Sequence, residues 1–97
     1  MNKKDEILLC LREYKGNQGR HYNILKMGLF GSAARDEMNE KSDIDIVVEL
    51  EKADLFNLIG IKQDLEEQLH RKVDIIRYNA GMNNFLKRRI DKDAVYV

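Results

Sequence analysis

The spacing of apolar positions along the chain switches between helical and extended periods, and the switches mark out the elements. Ile7, Leu8, Leu11 and Tyr14 fall at i, i+1, i+4 and i+7, which predicts a helix over residues 3–15 that Gly16, Asn17 and Gly19 bring to an end. Residues 23–30 (NILKMGLF) predict a strand running into Gly31 and Ser32, and a short helix is expected to start at Ser32, whose hydroxyl is a good N-cap. The polar run DEMNEKS, residues 36–42, predicts a loop. A second strand is expected over 44–50 (IDIVVEL), which is rich in β-branched residues. Residues 54–70 carry the clearest helical signal. Asp54 stands at its start, and Leu55, Leu58, Ile59, Lys62, Leu65, Glu66 and Leu69 trace a mostly apolar stripe. His70, Arg71 and Lys72 supply the basic end that the helix dipole favours. A third strand follows over 73–78 (VDIIRY), then a turn at Asn79-Ala80-Gly81, then a last helix over 83–92 with Phe85, Leu86 and Ile90 inward.

The order α-β-α-β-α-β-α predicts a small α/β sandwich, a mixed sheet of about three strands with helices packed on it. The strand-helix-strand run from 44 to 78 is expected to form a right-handed parallel unit. Residues 1–97 make one domain, large enough to bury somewhat over ~60% of the unfolded surface. With 43% hydrophobic and 35% charged residues the composition is that of an ordinary globular protein. No apolar run is long enough for a membrane span or a signal-peptide core, and Cys10 is the only cysteine, so a reducing cytoplasm is the expected setting. Seventeen basic residues balance seventeen acidic ones, which argues against sequence-independent attraction to nucleic acid.

Chemistry concentrates between Gly31 and Asp45, where the chain reads GSAARDEMNEKSDID. A strand that ends in Gly-Ser and opens a helix turns free backbone N–H groups toward one point, and glycine lets a phosphate approach closely. Many such turns bind nothing, so the downstream residues decide. In an extended segment side chains two apart share a face, so Asp43 and Asp45 project together while Ile44, Ile46 and Val48 fill the opposite, core-facing side. Two like charges that close raise one another's pKa unless a cation lies between them, and Mg²⁺, partly hydrated and shared with substrate phosphates, suits such a pair. A loop cap and a solvated strand residue would produce the same Asp-x-Asp. Asp74 weighs against that bland reading. Aspartate is disfavoured in strands, yet here it lies inside VDIIRY, on the face opposite Val73 and Ile75 and near its strand's start, as Asp45 is. An edge-strand acid that discourages aggregation is the competing reading. Three carboxylates from neighbouring strands can hold two metal ions for an in-line phosphoryl displacement, and the third can take the proton from an attacking hydroxyl.

The run GSAARDEMNEKSDIDIVVEL, followed about thirty residues later by a lone strand aspartate, resembles the nucleotidyltransferase superfamily of the DNA polymerase β type. The short length points to its minimal branch, the MNT antitoxin-like proteins, and the resemblance covers nearly the whole chain. It implies that Gly31 and Ser32 hold the phosphates of ATP, that Asp43 and Asp45 bind Mg²⁺, and that Asp74 is the third carboxylate. Arg35 matches an arginine usual in this branch and would contact phosphate or acceptor. Asp36 departs from the pattern, standing where the family often has glycine. The branch pairs with HEPN-domain toxins, and some members transfer AMP from ATP to a tyrosine of the toxin. The resemblance therefore implies a Mg²⁺-dependent nucleotidyltransferase acting as antitoxin; the alternative is a non-catalytic antitoxin that neutralises its toxin by occlusion. Outside the motif, His21 and His70 lack a second metal ligand at helical spacing, and Cys10 lies beside an apolar helix face. Lys87, Arg88 and Arg89 spread round a helix as a solvated face, or as help with phosphate charge or docking. Tyr78 ends the third strand, packed in the core or stacked on a base.

Overall fold

Side-chain alternation along the strands and the 3.6-residue period of the helices decide which sheet face each element covers. The computed structural model describes residues 2–52 and 54–97. Its elements are α1 (Lys3–Gln18), β1 (Ile24–Phe30), α2 (Gly31–Ala34), β2 (Ile44–Leu50), α3 (Leu55–Leu69), β3 (Val73–Arg77), α4 (Asn84–Asp93) and β4 (Val95–Tyr96). The strands form one sheet in the order β3-β2-β1-β4. β2 and β3 are parallel, joined through α3, and β1 runs antiparallel to both β2 and β4.

The sheet has four strands where about three were expected. β4 is two residues long and has no periodicity to read; it forms because Gly28 and Leu29 of β1 pair with Tyr96 and Val95. Gly28 permits that pairing, since a Cβ there would lie 2.8 Å from the Val95 carbonyl oxygen.

One face of the sheet carries the main core. Met27 and Leu29 of β1, Ile44, Ile46 and Val48 of β2, and Val73 of β3 pack beneath Ile7, Leu11 and Tyr14 of α1 and Ile61 and Leu65 of α3. The two helices are tied by the Tyr14 hydroxyl, which donates to Asp64 Oδ2 at 2.7 Å. The opposite face has a smaller cluster, Phe30, Val47 and Ile90 of α4, with Ile76, Tyr78 and Leu86 half-buried around it.

Several boundaries and facings differ from expectation. α1 runs through Gly16 and Asn17 to Gln18, closed by the Gly19 N–H on the Lys15 carbonyl at 2.8 Å. Asp54 caps α3 as expected, accepting from the N–H groups of Phe56 and Asn57. The buried stripe of α3, however, is Ile61 and Leu65 with Leu58 and Leu69 at its margins, while Leu55, Phe56 and Ile59 are exposed. The helix is rolled so that the i, i+3 and i+4 set around Ile61 meets the sheet. Phe85, expected inward, is 71% exposed, because Leu86 and Ile90 one turn apart define the face of α4 that meets the sheet. Among the described residues no helix is long and apolar enough to cross a membrane.

Candidate active site

The parallel pairing of β2 and β3 sets Asp45 opposite Asp74 in register, flanked by Ile44 opposite Val73 and Ile46 opposite Ile75. Neighbouring strands lie ~4.8 Å apart, so two carboxylates in register on one face are close neighbours. The flanking residues point into the main core, which leaves Asp45 and Asp74 on the α4 side of the sheet. Asp45 is half-buried and Asp74 exposed. Burial pushes the Asp45 carboxyl above its ordinary pKa; the charges of Asp74 and Asp43 add to the rise, and those of Arg89 and Arg35 oppose it.

Asp43 precedes β2 and is exposed, so the structure gathers two of the three acids on the sheet and holds the third just outside it. Among the described residues no three His, Cys, Asp or Glu side chains already form a metal cage. Asp45 and Asp74 nonetheless fit Mg²⁺, which typically takes one or two carboxylates and completes its shell with water and substrate phosphates. Two hard-oxygen groups in register, one with its pKa raised by burial and by the other's charge, suit such an ion.

The phosphate turn is built directly against Asp45. Asp45 pairs with Phe30, the last residue of β1, and Gly31 follows with φ +72°. A Cβ on Gly31 would collide with the Asp45 carboxylate, so glycine is required here both by backbone conformation and by space. Helix α2 begins at Gly31, with Phe30 in the capping position and no side-chain cap bond. Ser32 is therefore inside the first turn and does not serve as the N-cap. Arg35 closes α2. Its Nε donates to Glu37 at 3.1 Å and one terminal nitrogen to Asp93 of α4 at 2.9 Å, so its charge is shared between two carboxylates. Asp36 has φ +60°.

Beside the two acids opens a cleft of about 340 Å³. Asp45 and Asp74 line its sheet side, Phe30, Ile76 and Leu86 give it apolar walls, and Lys62 of α3 and Arg89 of α4 supply positive charge. Gly31, Ser32, Arg35 and Asp43 are not among its walls. A larger hollow of about 420 Å³ between α1 and β1 holds none of the three aspartates.

The polymerase β nucleotidyltransferase model matches residues 15–97. The chain belongs to this family. A candidate protein adenylyltransferase of Methanocaldococcus jannaschii is 36% identical over 98 residues, spanning the whole of both chains. A solved candidate minimal nucleotidyltransferase superposes with a TM-score of 0.76 at 30% identity, over 93% of this chain and 92% of that one. A chain from the complex of a tri-AMPylated Shewanella oneidensis HEPN toxin with its MNT antitoxin shares the fold, with a TM-score of 0.60 at 20% identity over 96% of this chain and 66% of that one.

As a minimal nucleotidyltransferase the chain accounts for its own departure at position 36. A left-handed backbone there suits glycine, and aspartate is among the few other residues that adopt it at modest cost. Lys62 is the cleft cation that sequence reasoning did not raise, an odd charge within a predicted apolar stripe; Arg89 belongs to the Lys87-Arg88-Arg89 run, read from sequence as a solvated face or as help with phosphate charge or docking. Tyr78 joins the smaller core cluster and donates its hydroxyl to Asp91 at 3.0 Å.

Proposed function

We propose that this nucleotidyltransferase moves the AMP group of ATP onto a tyrosine hydroxyl of a HEPN-type toxin and thereby acts as the toxin's antitoxin. The observation that carries the reading is the in-register pair Asp45 and Asp74, with the Gly31 turn packed against Asp45. Support for the acceptor comes from relatives named protein adenylyltransferases and from the fold shared with the AMPylated toxin complex.

In this reading Gly31 and Ser32 hold the phosphates with turn N–H groups and a hydroxyl, and Arg35 leaves Glu37 or Asp93 to meet phosphate or acceptor. Asp43, Asp45 and Asp74 would hold Mg²⁺, as two ions, and the metal would supply charge neutralisation at the phosphates being exchanged. Asp74 also takes the proton of the attacking hydroxyl. The acceptor oxygen then bonds to the α-phosphorus, and pyrophosphate departs.

Incubation with α-labelled ATP, Mg²⁺ and a HEPN-type toxin tests the reading. Label is expected on the toxin and should vanish in Asp45→Ala and Asp74→Ala. Neutralisation that persists in those variants without label would replace transfer by occlusion.

A further inference from the structure

We propose that Arg71, in the turn between α3 and β3, is a positioning residue for Asp43. It clamps the loop that leads into β2 and so fixes the one acid of the three that lies outside a strand. The proposal rests on the metal-binding role given to Asp43 above and adds the residue through which the fold holds that carboxylate in place.

Asp43 is exposed and comes before the first residue of β2, so strand pairing does not set its backbone as it does for Asp45 and Asp74. Its two chain neighbours are both tied to the α3–β3 turn instead. On the N-terminal side, one terminal nitrogen of Arg71 donates to the Asn39 carbonyl at 2.7 Å and to the Ser42 carbonyl. The Ser42 carbonyl belongs to the planar peptide unit that carries the Asp43 nitrogen, so holding it orients the Asp43 backbone. On the C-terminal side, the Ile44 N–H donates to the Lys72 carbonyl at 3.0 Å. Asp43 is bracketed by a side-chain clamp and a main-chain bond from adjacent residues of one turn.

Both partners are prepared for this contact. His70 ends α3 in the left-handed region, at φ +54°, with its N–H on the Glu66 carbonyl at 2.9 Å, which turns the chain off the helix axis just before Arg71. The Glu66 carboxylate accepts the Val73 N–H at 3.0 Å and holds the far end of the turn. Across from it, the Asn39 N–H donates to Ser42 Oγ and the Ser42 N–H to the Asn39 carbonyl, each at 3.1 Å, while Lys41 N–H donates to Asn39 Oδ1 at 2.8 Å. Asn39 and Ser42 thus close a turn whose two end carbonyls meet one guanidinium. A guanidinium carries donors and no acceptor, so it cannot ligate a cation and acts only through the loop. Among the described residues Asp43 forms no salt bridge, so the clamp fixes the loop without occupying the carboxylate.

The test uses the full chain, a non-hydrolysable ATP analogue and Mn²⁺ as the metal probe, with metal affinity read by electron paramagnetic resonance. Arg71→Ala should weaken Mn²⁺ binding about 10- to 100-fold, the usual effect of losing a residue that orients a ligand. Its affinity for the analogue without metal should not change. Asp43→Ala should lose metal affinity as well, and adding Arg71→Ala to it should cost nothing further, because Arg71 acts through that carboxylate. Amide hydrogen exchange in Arg71→Ala should quicken over residues 39–43 while the interiors of β1 and β2 keep their protection. Unchanged metal affinity in Arg71→Ala, additive losses in the double variant, or lost protection throughout the sheet would each overturn the clamp while nucleotidyl transfer stands. Asp43→Ala binding Mn²⁺ as tightly as the parent would overturn the metal role of Asp43 and this inference with it.

Discussion

On one face of the sheet Ile44, Ile46 and Val48 of β2 disappear beneath α1 and α3; on the other, only Val47 is fully buried, under α4, and Asp45 stays half-open. The residues alternate along one strand, so the same seven-residue segment serves stability with one set of side chains and chemistry with the other. A single ten-residue helix covers too little of the second face to hide the strand starts. That shortfall leaves Asp45 and Asp74 beside water, where charge is tolerable, and opens the cleft next to them. Among the described residues, the buried set of the first face carries no charged side chain.

The contrast can be broken most strongly at Asp45. In Asp45→Asn, AMP transfer should fall by about 1,000-fold or more, measured as label incorporated per folded molecule. Stability should move the other way. The folded-state pKa of Asp45 lies above the ordinary value of an aspartate, so its charge opposes folding at neutral pH, and the protein gains stability as pH falls through the raised value. The asparagine variant should therefore be the more stable protein at pH 7 in metal-free buffer, with its advantage fading toward pH 4, as thermal melts across that range would show. Mg²⁺ with a non-hydrolysable ATP analogue should raise the melting temperature of the parent and leave Asp45→Asn nearly unmoved.

One position along, Ile46→Ala removes a fully buried side chain from the opposite face and should cost about 2–5 kcal/mol in urea unfolding. Transfer per folded molecule should survive, because Ile46 does not face the cleft. Gly31→Ala tests the joint between turn and acid. It forces a Cβ toward the Asp45 carboxylate at φ +72° and should cost about 1–3 kcal/mol, with a drop in transfer as well. The smallest effect is expected at Asp36→Gly. Relief of the left-handed backbone is partly offset by greater freedom of the unfolded chain, for a gain of about 0.5 kcal/mol by chemical denaturation.

Most of the fold was legible because long elements announce themselves by period. Asp54 before a helical stripe, the β-branched run at 44–50 and the apolar spacing of Ile7, Leu11 and Tyr14 each predicted an element within a few residues of its place. The misplaced facings share one cause. Leu55, Ile59 and Phe85 are apolar and sit near a helix's buried stripe, but which of several adjacent apolar residues turns inward depends on how the helix rolls against the sheet. β4 escaped notice for a related reason, since two residues become a strand only when the β1 edge is there to pair with them.

The candidate site divides in the same way. Residue types and strand parity alone selected Gly31, Ser32, Asp43, Asp45 and Asp74, because alternation within a strand is a local property of the backbone. Only the tertiary structure decided that Asp45 and Asp74 stand in register and that Arg35 is shared between Glu37 and Asp93. The convergence of Lys62 and Arg89 on one cleft belongs to that second kind as well. They come from two helices on opposite faces of the sheet, and no local period relates positions that meet only when the layers pack.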